Sequence, residues 1–175
     1  MEKVGMITAK GCAMDLKTNS LLPAIGFAAG LTADARACLC EFGRFADRPV
    51  GSFLAKQGRP HHAMSLLLSG RVSVSVAAHG DHVELGLLSA GDVVGEMSLI
   101  DPQVASATAR VVEGPARLWI IERVAFDRFV AQDSATGSAL YKALGKVLCK
   151  RVRADSELML RKAEEMRSHL LDMDY

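Results

Sequence analysis

The chain has 175 residues, of which 50% are hydrophobic and 23% are charged. This composition is typical of a single globular domain that buries its own core, and it excludes a disordered chain. The formal net charge of +1 provides no general electrostatic attraction to nucleic acid or to anionic lipid.

The N-terminal part of the sequence carries no targeting or membrane signal. Residues 1–18 have mixed polarity without periodicity, so we interpret them as an arm with no assigned function. The longest apolar stretch, residues 21–31, is broken by proline and glycine and is shorter than the ~20 residues that span a bilayer. We therefore expect a cytoplasmic protein with no membrane contact.

The cysteines have no spacing that indicates a metal site. Cys38 and Cys40 form a Cys-x-Cys pair with no second pair and no histidine nearby, while Cys12 and Cys149 stand alone. Because the pair lies in a run of helical character, we expect reduced thiols that pack as small hydrophobic side chains.

The first structured element is a short helix. Apolar residues recur at helical spacing over residues 31–42, Thr32 is a candidate N-cap, and Asp34 lies in the first turn. From Arg44 to Glu122 the sequence changes to short β-rich runs separated by glycines, which predicts an antiparallel barrel or sandwich.

Individual strands can be assigned within this β-rich region. Residues 64–68 and 71–76 read as strands, and a tight turn at residues 79–81 leads to a strand at residues 83–85. Two further strands, residues 106–112 and 117–121, are predicted to be joined by a turn at Glu113-Gly114-Pro115.

The C-terminal third is helical. Phe126, Phe129 and Val130 lie at i, i+3 and i+4 and predict an amphipathic helix over residues 123–132. Residues 138–171 contain no proline and predict a helix of ~50 Å, at about 1.5 Å per residue. Its apolar side predicts a homodimer through residues 140–170, although Arg151 and Asp155 interrupt any clean heptad.

Residues 91–108 resemble the phosphate-binding cassette of cyclic nucleotide-binding domains, and the similarity covers roughly residues 20 to 165. Shorter matches at residues 56–58, 68–72, 90–92 and 95–96 follow the same order. The resemblance, to the effector domain of catabolite activator proteins, implies a mainly β fold: an antiparallel, jelly-roll-like β-roll with an N-terminal helical segment and a long C-terminal helix.

The domain limits follow from this resemblance. We expect an arm at residues 1–18, the β-roll with its flanking helices at residues 19–134, and at residues 135–175 a long helix that serves for dimerisation or as a lid.

The resemblance also implies a ligand site without a catalytic residue, a cofactor or a metal. Gly95 would let backbone amides approach a phosphate, Glu96 would accept a hydrogen bond from a ribose 2′-hydroxyl, and Ser106 would help to hold the phosphate. Read from the residues alone, Gly95 makes a turn and Glu96 lies favourably in a first helical turn. The implied ligand-binding residues are Gly95, Glu96, Met97, Ser98, Ala105, Ser106, Ala107 and Thr108.

Ala105 departs from the family pattern, which has an arginine there to pair with the cyclic phosphate. Losing one partner of a buried charge pair costs about 2 to 5 kcal/mol, which would weaken micromolar binding to millimolar. Arg110 is expected to face away, because it lies an odd number of residues along the strand, and Arg71 to be exposed. Arg151 and Arg153 are either a lid over the pocket or solvated helix-surface charges.

Several functional classes are excluded at this stage. Adjacent His61 and His62 do not fit the metal site of a cupin enzyme and are expected to be exposed loop histidines. No nucleophile–base pattern or phosphate-binding loop indicates an enzyme. No helix-turn-helix follows the long helix, so direct DNA binding is not expected.

Two functions remain open. The chain is a regulatory sensor of cAMP, cGMP or a related nucleotide that signals through its C-terminal helix, or it is a ligand-independent module that binds an unknown protein partner.

Overall fold

The structure, a computed structural model, describes residues 21–78 and 81–172, so the arm and the first two residues of the turn predicted at residues 79–81 lie outside the described part. After a 3-10 helix, Gly26–Gly30, the helices are α1 (Ala33–Glu41), α2 (Glu96–Ile100), α3 (Arg123–Gln132) and α4 (Ser134–Asp172). The strands are β1 (Arg44–Arg48), β2 (Phe53–Ala55), β3 (Ala63–Ala78), β4 (Asp81–Leu88), β5 (Val93–Val94) and β6 (Thr108–Glu122).

The strands form one antiparallel sheet with the order β1-β6-β3-β4. Strand β2 pairs with one end of β6, and β5 pairs with one end of β3, so the two long strands connect the whole sheet. This arrangement confirms the predicted antiparallel β-roll with flanking helices.

The predicted turn at residues 113–115 is wrong, because β6 runs unbroken through it. Gly70 in β3 lies opposite this part of β6 at φ +88°, and a Cβ there would come within 2.8 Å of the Ala116 Cα. The strand register shifts on either side of Ser69 while the pairing continues. Glycines on facing strands therefore let both strands bend together, and for the same reason residues 64–68 and 71–76 belong to one strand.

Two hydrophobic clusters lie on opposite faces of the sheet. The outer cluster, between the sheet and the helices, contains Trp119, Phe126 and Phe129, all fully buried. The inner cluster, inside the roll, includes Leu67 and Leu118. Residues of β6 alternate between the two clusters, so both sides of the sheet are covered by apolar packing.

The helices lie close to the predicted positions. The Thr32 hydroxyl caps α1 by accepting from the Ala35 N–H at 3.2 Å, and α3 has the predicted bounds. Helix α4 begins at Ser134, four residues earlier than predicted, and its 39 residues correspond to about 58 Å. No helix within residues 21–78 and 81–172 is long and apolar enough to cross a membrane.

Candidate ligand site

The cassette begins at Gly95, which connects β5 to α2. Gly95 adopts φ +83° as the N-cap of α2, and a Cβ at this position would lie 2.3 Å from the Ala63 carbonyl oxygen and 2.4 Å from His61 Nε2. Only glycine fits here, because both the backbone conformation and the available space exclude a side chain. The turn directs the chain so that Glu96 starts α2 and is buried.

Glu96 forms an ion pair with Arg151 of α4. The guanidinium Nη1 donates to Glu96 Oε1, and Nη2 donates to the Val93 carbonyl oxygen. The Glu96 side chain is 2% exposed and that of Arg151 is 36% exposed, so the carboxylate is enclosed and the guanidinium covers it. The long helix thereby contacts the cassette through a charge pair.

Ala105 faces the interior of the roll. Its side chain packs against the inner cluster, and its backbone is fixed by two hydrogen bonds: the Ala105 N–H donates to the Arg59 carbonyl at 2.9 Å, and the Gly58 N–H donates to the Ala105 carbonyl at 2.8 Å. A longer side chain at residue 105 would therefore start toward the roll interior.

The other implied site residues differ in exposure. Ser98 is buried, Met97 and Ser106 are exposed, and Ala107 is half-buried. The Thr108 hydroxyl accepts from the Gln57 N–H at 3.1 Å and joins the end of the cassette to the segment after β2. Glu96 and Ser98 thus form the enclosed part of the candidate site, and Ser106 lies at its surface.

The remaining arginines considered from the sequence lie on exposed surfaces. Arg110 stacks over Phe53, with the guanidinium carbon 5.6 Å from the ring centroid, and Arg71 pairs with Glu113 at 3.3 Å. Arg153 is exposed. Of the two candidate lid residues, only Arg151 contacts the cassette in the described residues.

The expectation that His61 is an exposed loop residue is wrong. His61 is half-buried against Gly95, and its Nε2 is enclosed without a hydrogen-bond partner among the described residues, whereas His62 is exposed. Burial lowers the pKa of His61 from its ordinary value of 6.5, and the Ala63 backbone opposes this effect. The loop that carries His61 folds against the cassette, which the adjacent pair of histidines did not indicate.

Two arginines on the inward side of β1 were not identified from the sequence; Arg44 is exposed and Arg48 is half-buried. Arg44 and Arg48 flank Ala46 on β1, and Ala46 packs against the inner cluster, so all three lie on the inward face of the strand. The strict alternation of strand faces was the signal that could have found them. They line a cavity of about 160 Å³ together with His61 and Ser65.

A second open cavity, of about 240 Å³, is lined by His62, Ala63 and the first residues of α3. Neither of these cavities is lined by Glu96 or Ala105. Over the described ranges, no group of three or more His, Cys, Asp or Glu side chains could hold a metal ion.

Comparison with known proteins agrees with this geometry. The family model of the cyclic nucleotide-binding domain matches residues 48–133. A search of curated protein sequences found no match.

Three solved structures of similar fold each match about three quarters of this chain. The catabolite activator protein of Thermus thermophilus is 28% identical with a TM-score of 0.66, over 77% of this chain and 62% of that one. A cyclic nucleotide-binding domain from Methylobacillus flagellatus is 23% identical with a TM-score of 0.71, over 75% of this chain and 74% of that one. A cAMP-binding acyltransferase from Mycobacterium smegmatis is 28% identical with a TM-score of 0.59, over 75% of this chain and 39% of that one.

The chain thus spans less than two thirds of the Thermus protein that it matches. Three observations indicate the same family: the β-roll fold, the buried glutamate directly after the cassette glycine, and the match to the family model. The chain therefore contains a cyclic nucleotide-binding domain, which the family model matches at residues 48–133.

Proposed function

We propose that this chain is a non-catalytic regulatory module that binds cAMP, cGMP or a related nucleotide beside Glu96 and transmits binding through α4. The observation that carries this proposal is the ion pair between Glu96 and Arg151. By resemblance to the family, Glu96 is the residue that accepts a hydrogen bond from the ribose 2′-hydroxyl. A ligand that needs Glu96 must therefore displace an arginine of the long helix.

This competition couples the site to the helix. With nucleotide absent, Arg151 satisfies the buried carboxylate and holds α4 against the cassette. When a ribose hydroxyl donates a hydrogen bond to Glu96, the Arg151 guanidinium loses its partner. Helix α4 then loses a contact with the cassette. Because ligand and helix position compete for one group, the ligand has different affinities for the two helix positions, which is the requirement for a sensor.

The burial of Glu96 supports a closed resting state. Its side chain is 2% exposed, and the Arg151 guanidinium covers it. A nucleotide that contacts Glu96 therefore needs an opening of the site, and withdrawal of Arg151 from Glu96 is the movement that would create it.

An alternative function is a ligand-independent module that uses the same fold for contacts with another protein. It is favoured by Ala105, whose packing against the inner cluster leaves no guanidinium at the family's phosphate position. In this alternative the Glu96–Arg151 pair is permanent, and α4 remains in one position.

Calorimetric titration with cAMP and with cGMP tests the proposal on the unaltered chain and on three variants. We expect measurable binding by the unaltered chain and binding at least about tenfold tighter by Ala105→Arg, because a charge-assisted hydrogen bond contributes about 1.5–3 kcal/mol. Arg151→Gln should tighten the apparent Kd about tenfold if the closed contact costs about 1.4 kcal/mol. Arg153→Gln removes the same charge two residues away and should bind as the unaltered chain does.

Each contrary result has a distinct meaning. No detectable binding by the unaltered chain, together with binding by Ala105→Arg, would favour the ligand-independent module. Weaker binding by Arg151→Gln would make Arg151 a ligand of the phosphate and would overturn the competition between ribose and helix.

A further inference from the structure

The second half of α4 stands clear of the β-roll. Between residues 149 and 168 every side chain is exposed except those of Arg151 and Leu158, which are half-buried. One face of this segment carries uncharged residues at alternating spacings of three and four, which is the spacing of a helix that pairs with another helix. The stripe formed by this face consists of Cys149, Val152, Ser156, Met159, Ala163 and Met166.

Small and large side chains are separated within the stripe. One heptad position carries the small residues Cys149, Ser156 and Ala163. The other heptad position carries the larger residues Val152, Met159 and Met166. This separation distinguishes the two ways in which a second copy of the helix could lie against the stripe.

In a parallel pair with the helices in register, each position faces its own copy. Ser156 would then face the partner's Ser156, and Met159 would face the partner's Met159, so layers of two small residues would alternate with layers of two large ones. A layer of two small residues leaves space between the helices that the neighbouring large layers keep open, and unfilled space costs packing energy.

In an antiparallel pair, each heptad position faces the other one. Every layer then combines one small and one large side chain, so the same distance between the helix axes suits all layers. The facing residues are Cys149 and the partner's Met166, Val152 and the partner's Ala163, and Ser156 and the partner's Met159. The sizes of the six side chains therefore favour the antiparallel arrangement.

The charges beside the stripe favour the same orientation. Asp155 and Lys162 flank it at equivalent heptad positions, and neither forms an ion pair within the described part of the chain. In a parallel pair Asp155 would face the partner's Leu160, and Lys162 would face the like charge of the partner's Arg167. In an antiparallel pair Asp155 faces the partner's Lys162, and the two-fold symmetry repeats this contact. The like charges of Lys146 and the partner's Arg167 meet only beyond the ends of the stripe.

We infer that a second copy of this chain binds the stripe in antiparallel orientation, with the two-fold axis between Glu157 and Leu158 and with Asp155 paired to the partner's Lys162. The two β-rolls then lie at opposite ends of the paired helices. Arg151 lies outside the stripe and pairs with Glu96 of its own roll, so the two contacts of α4 can exist together. The inference goes beyond the proposed function, since the pairing requires no nucleotide.

The dissociation constant of the dimer, measured by sedimentation velocity over a dilution series, tests the orientation through charge reversal. Lys162→Asp should weaken the dimer at least about fivefold, because two attractive contacts become repulsive. Asp155→Lys should act in the same direction, and the double variant Asp155→Lys/Lys162→Asp should restore the original affinity. A parallel dimer predicts the opposite result for Lys162→Asp, which would then be attracted to the partner's Arg167.

The matched control is Arg161→Asp. It makes the same change of charge at the neighbouring residue, which occupies the outermost heptad position, and it should leave the dissociation constant unchanged. Circular dichroism of each variant shows whether α4 remains helical, so that weaker association is not mistaken for loss of the helix.

Disulfide mapping provides a second test that does not depend on charge. In Met166→Cys, mild oxidation should join the introduced thiol to the partner's Cys149, and mass spectrometry of the linked peptides identifies this pair. In a parallel dimer each thiol would instead join its own copy. In the unaltered chain Cys149 should remain reduced.

Three results would overturn the inference: a monomeric mass at every concentration, a tighter dimer with Lys162→Asp, or a disulfide between two copies of Cys149. None of these results depends on the cyclic nucleotide titrations. The antiparallel pair can therefore fail while the proposed sensor stands, and the reverse also holds.

Discussion

Arg151 and Glu96, 55 positions apart in the sequence, form an ion pair that connects the long C-terminal helix to the cassette. The carboxylate is almost fully buried, so its negative charge depends on this guanidinium for compensation. The Val93 carbonyl accepts a second hydrogen bond from the same side chain, which fixes the guanidinium over the site. The contact therefore couples the position of α4 to whether Glu96 is paired with Arg151.

Breaking this pair from one side should destabilise the fold. We expect Arg151→Gln to lower the free energy of unfolding by about 2 kcal/mol, less than the ~3–5 kcal/mol of a fully buried pair, because the Arg151 side chain is 36% exposed. Denaturant unfolding measures this change. The double variant Glu96→Gln/Arg151→Gln removes both charges and should recover most of the loss.

Arg153→Gln is the matched control for this cycle, since Arg153 is exposed on the same helix. It should change the free energy of unfolding by less than about 0.5 kcal/mol. Equal effects of the two single arginine variants would contradict a specific role for the contact between Arg151 and Glu96.

The glycine at the start of the cassette gives a second prediction. Gly95→Ala should cost at least about 2 kcal/mol, because alanine at positive φ is strained and its Cβ would lie 2.3 Å from the Ala63 carbonyl oxygen. Gly58→Ala is the control: Gly58 has φ +72°, yet a Cβ there meets nothing within 4 Å. Gly58→Ala should therefore lower the free energy of unfolding by only about 1 kcal/mol, which is the cost of the positive φ alone.

Thermal or denaturant unfolding of the two glycine variants measures the difference directly. If both variants lose the same stability, the close approach of Ala63 and His61 to Gly95 does not constrain the cassette. A larger loss in Gly95→Ala would show that tight packing, and not only positive φ, requires glycine there.

Much of the fold could be predicted because its signals are local. Apolar spacing gave α1 and α3 nearly to the residue, and glycine spacing gave the antiparallel roll. The turn expected at residues 113–115 was wrong because glycine and proline also occur where a long strand bends. Whether the chain reverses there or bends depends on Gly70 of the facing strand, and a local pattern does not contain that information.

The candidate site was less predictable because its contacts join distant parts of the chain. Motif similarity located Gly95 and Glu96, but the choice between a solvated Arg151 and one that covers the site depends on the path of α4. His61 was interpreted as exposed because adjacent histidines in a loop carry no burial signal.

The junction between α3 and α4 gives a prediction that depends on pH. Asp133 accepts hydrogen bonds from the Thr136 backbone N–H at 3.0 Å and from the Thr136 hydroxyl at 2.5 Å, so it caps α4. The hydrogen bond from the Thr136 hydroxyl is the main cause that lowers the pKa of Asp133 from its ordinary value of 3.8, and the hydrogen bond from the Thr136 N–H lowers it further. The ionised cap therefore stabilises the fold above pH 3.8, and this stabilisation is lost as the pH falls through the lowered pKa.

We expect Asp133→Ala to lower the free energy of unfolding by about 1 kcal/mol at neutral pH. Asp133→Asn keeps a capping oxygen without the charge, so its difference from the unaltered chain should shrink as the pH falls below 3.8. Ser134→Ala, one residue further along and outside this pair of contacts, is the control. A difference between the aspartate and asparagine proteins that stays constant down to acid pH would contradict the assignment of the cap.

The distal half of α4 gives the last prediction, a homodimer. Val152, Met159 and Met166 follow each other at intervals of seven residues and are 64%, 72% and 67% exposed. Cys149, Ser156 and Ala163 each lie three residues before one of them, at the alternate heptad position, so the stripe formed by these six residues continues for more than two heptads. Arg151 lies outside this stripe and contacts its own β-roll, so the two roles of α4 are compatible.

We expect the chain to have a dimeric mass in light scattering, because pairing two such stripes buries apolar surface that a monomer leaves in water. Met159→Glu should shift the mass toward the monomer, since it introduces a like charge pair at the centre of the seam. Ala154→Glu is the matched control, because residue 154 is exposed at the outermost heptad position, and its variant should remain dimeric.

Cys149 tests the orientation of the pair. In a parallel dimer with helices in register, the two copies of Cys149 face each other across the seam, and mild oxidation should join them through a disulfide. An antiparallel pair would separate the two thiols and leave them reduced. A monomeric mass for the unaltered chain at every concentration would overturn the dimer, and the exposed stripe would then need a different partner.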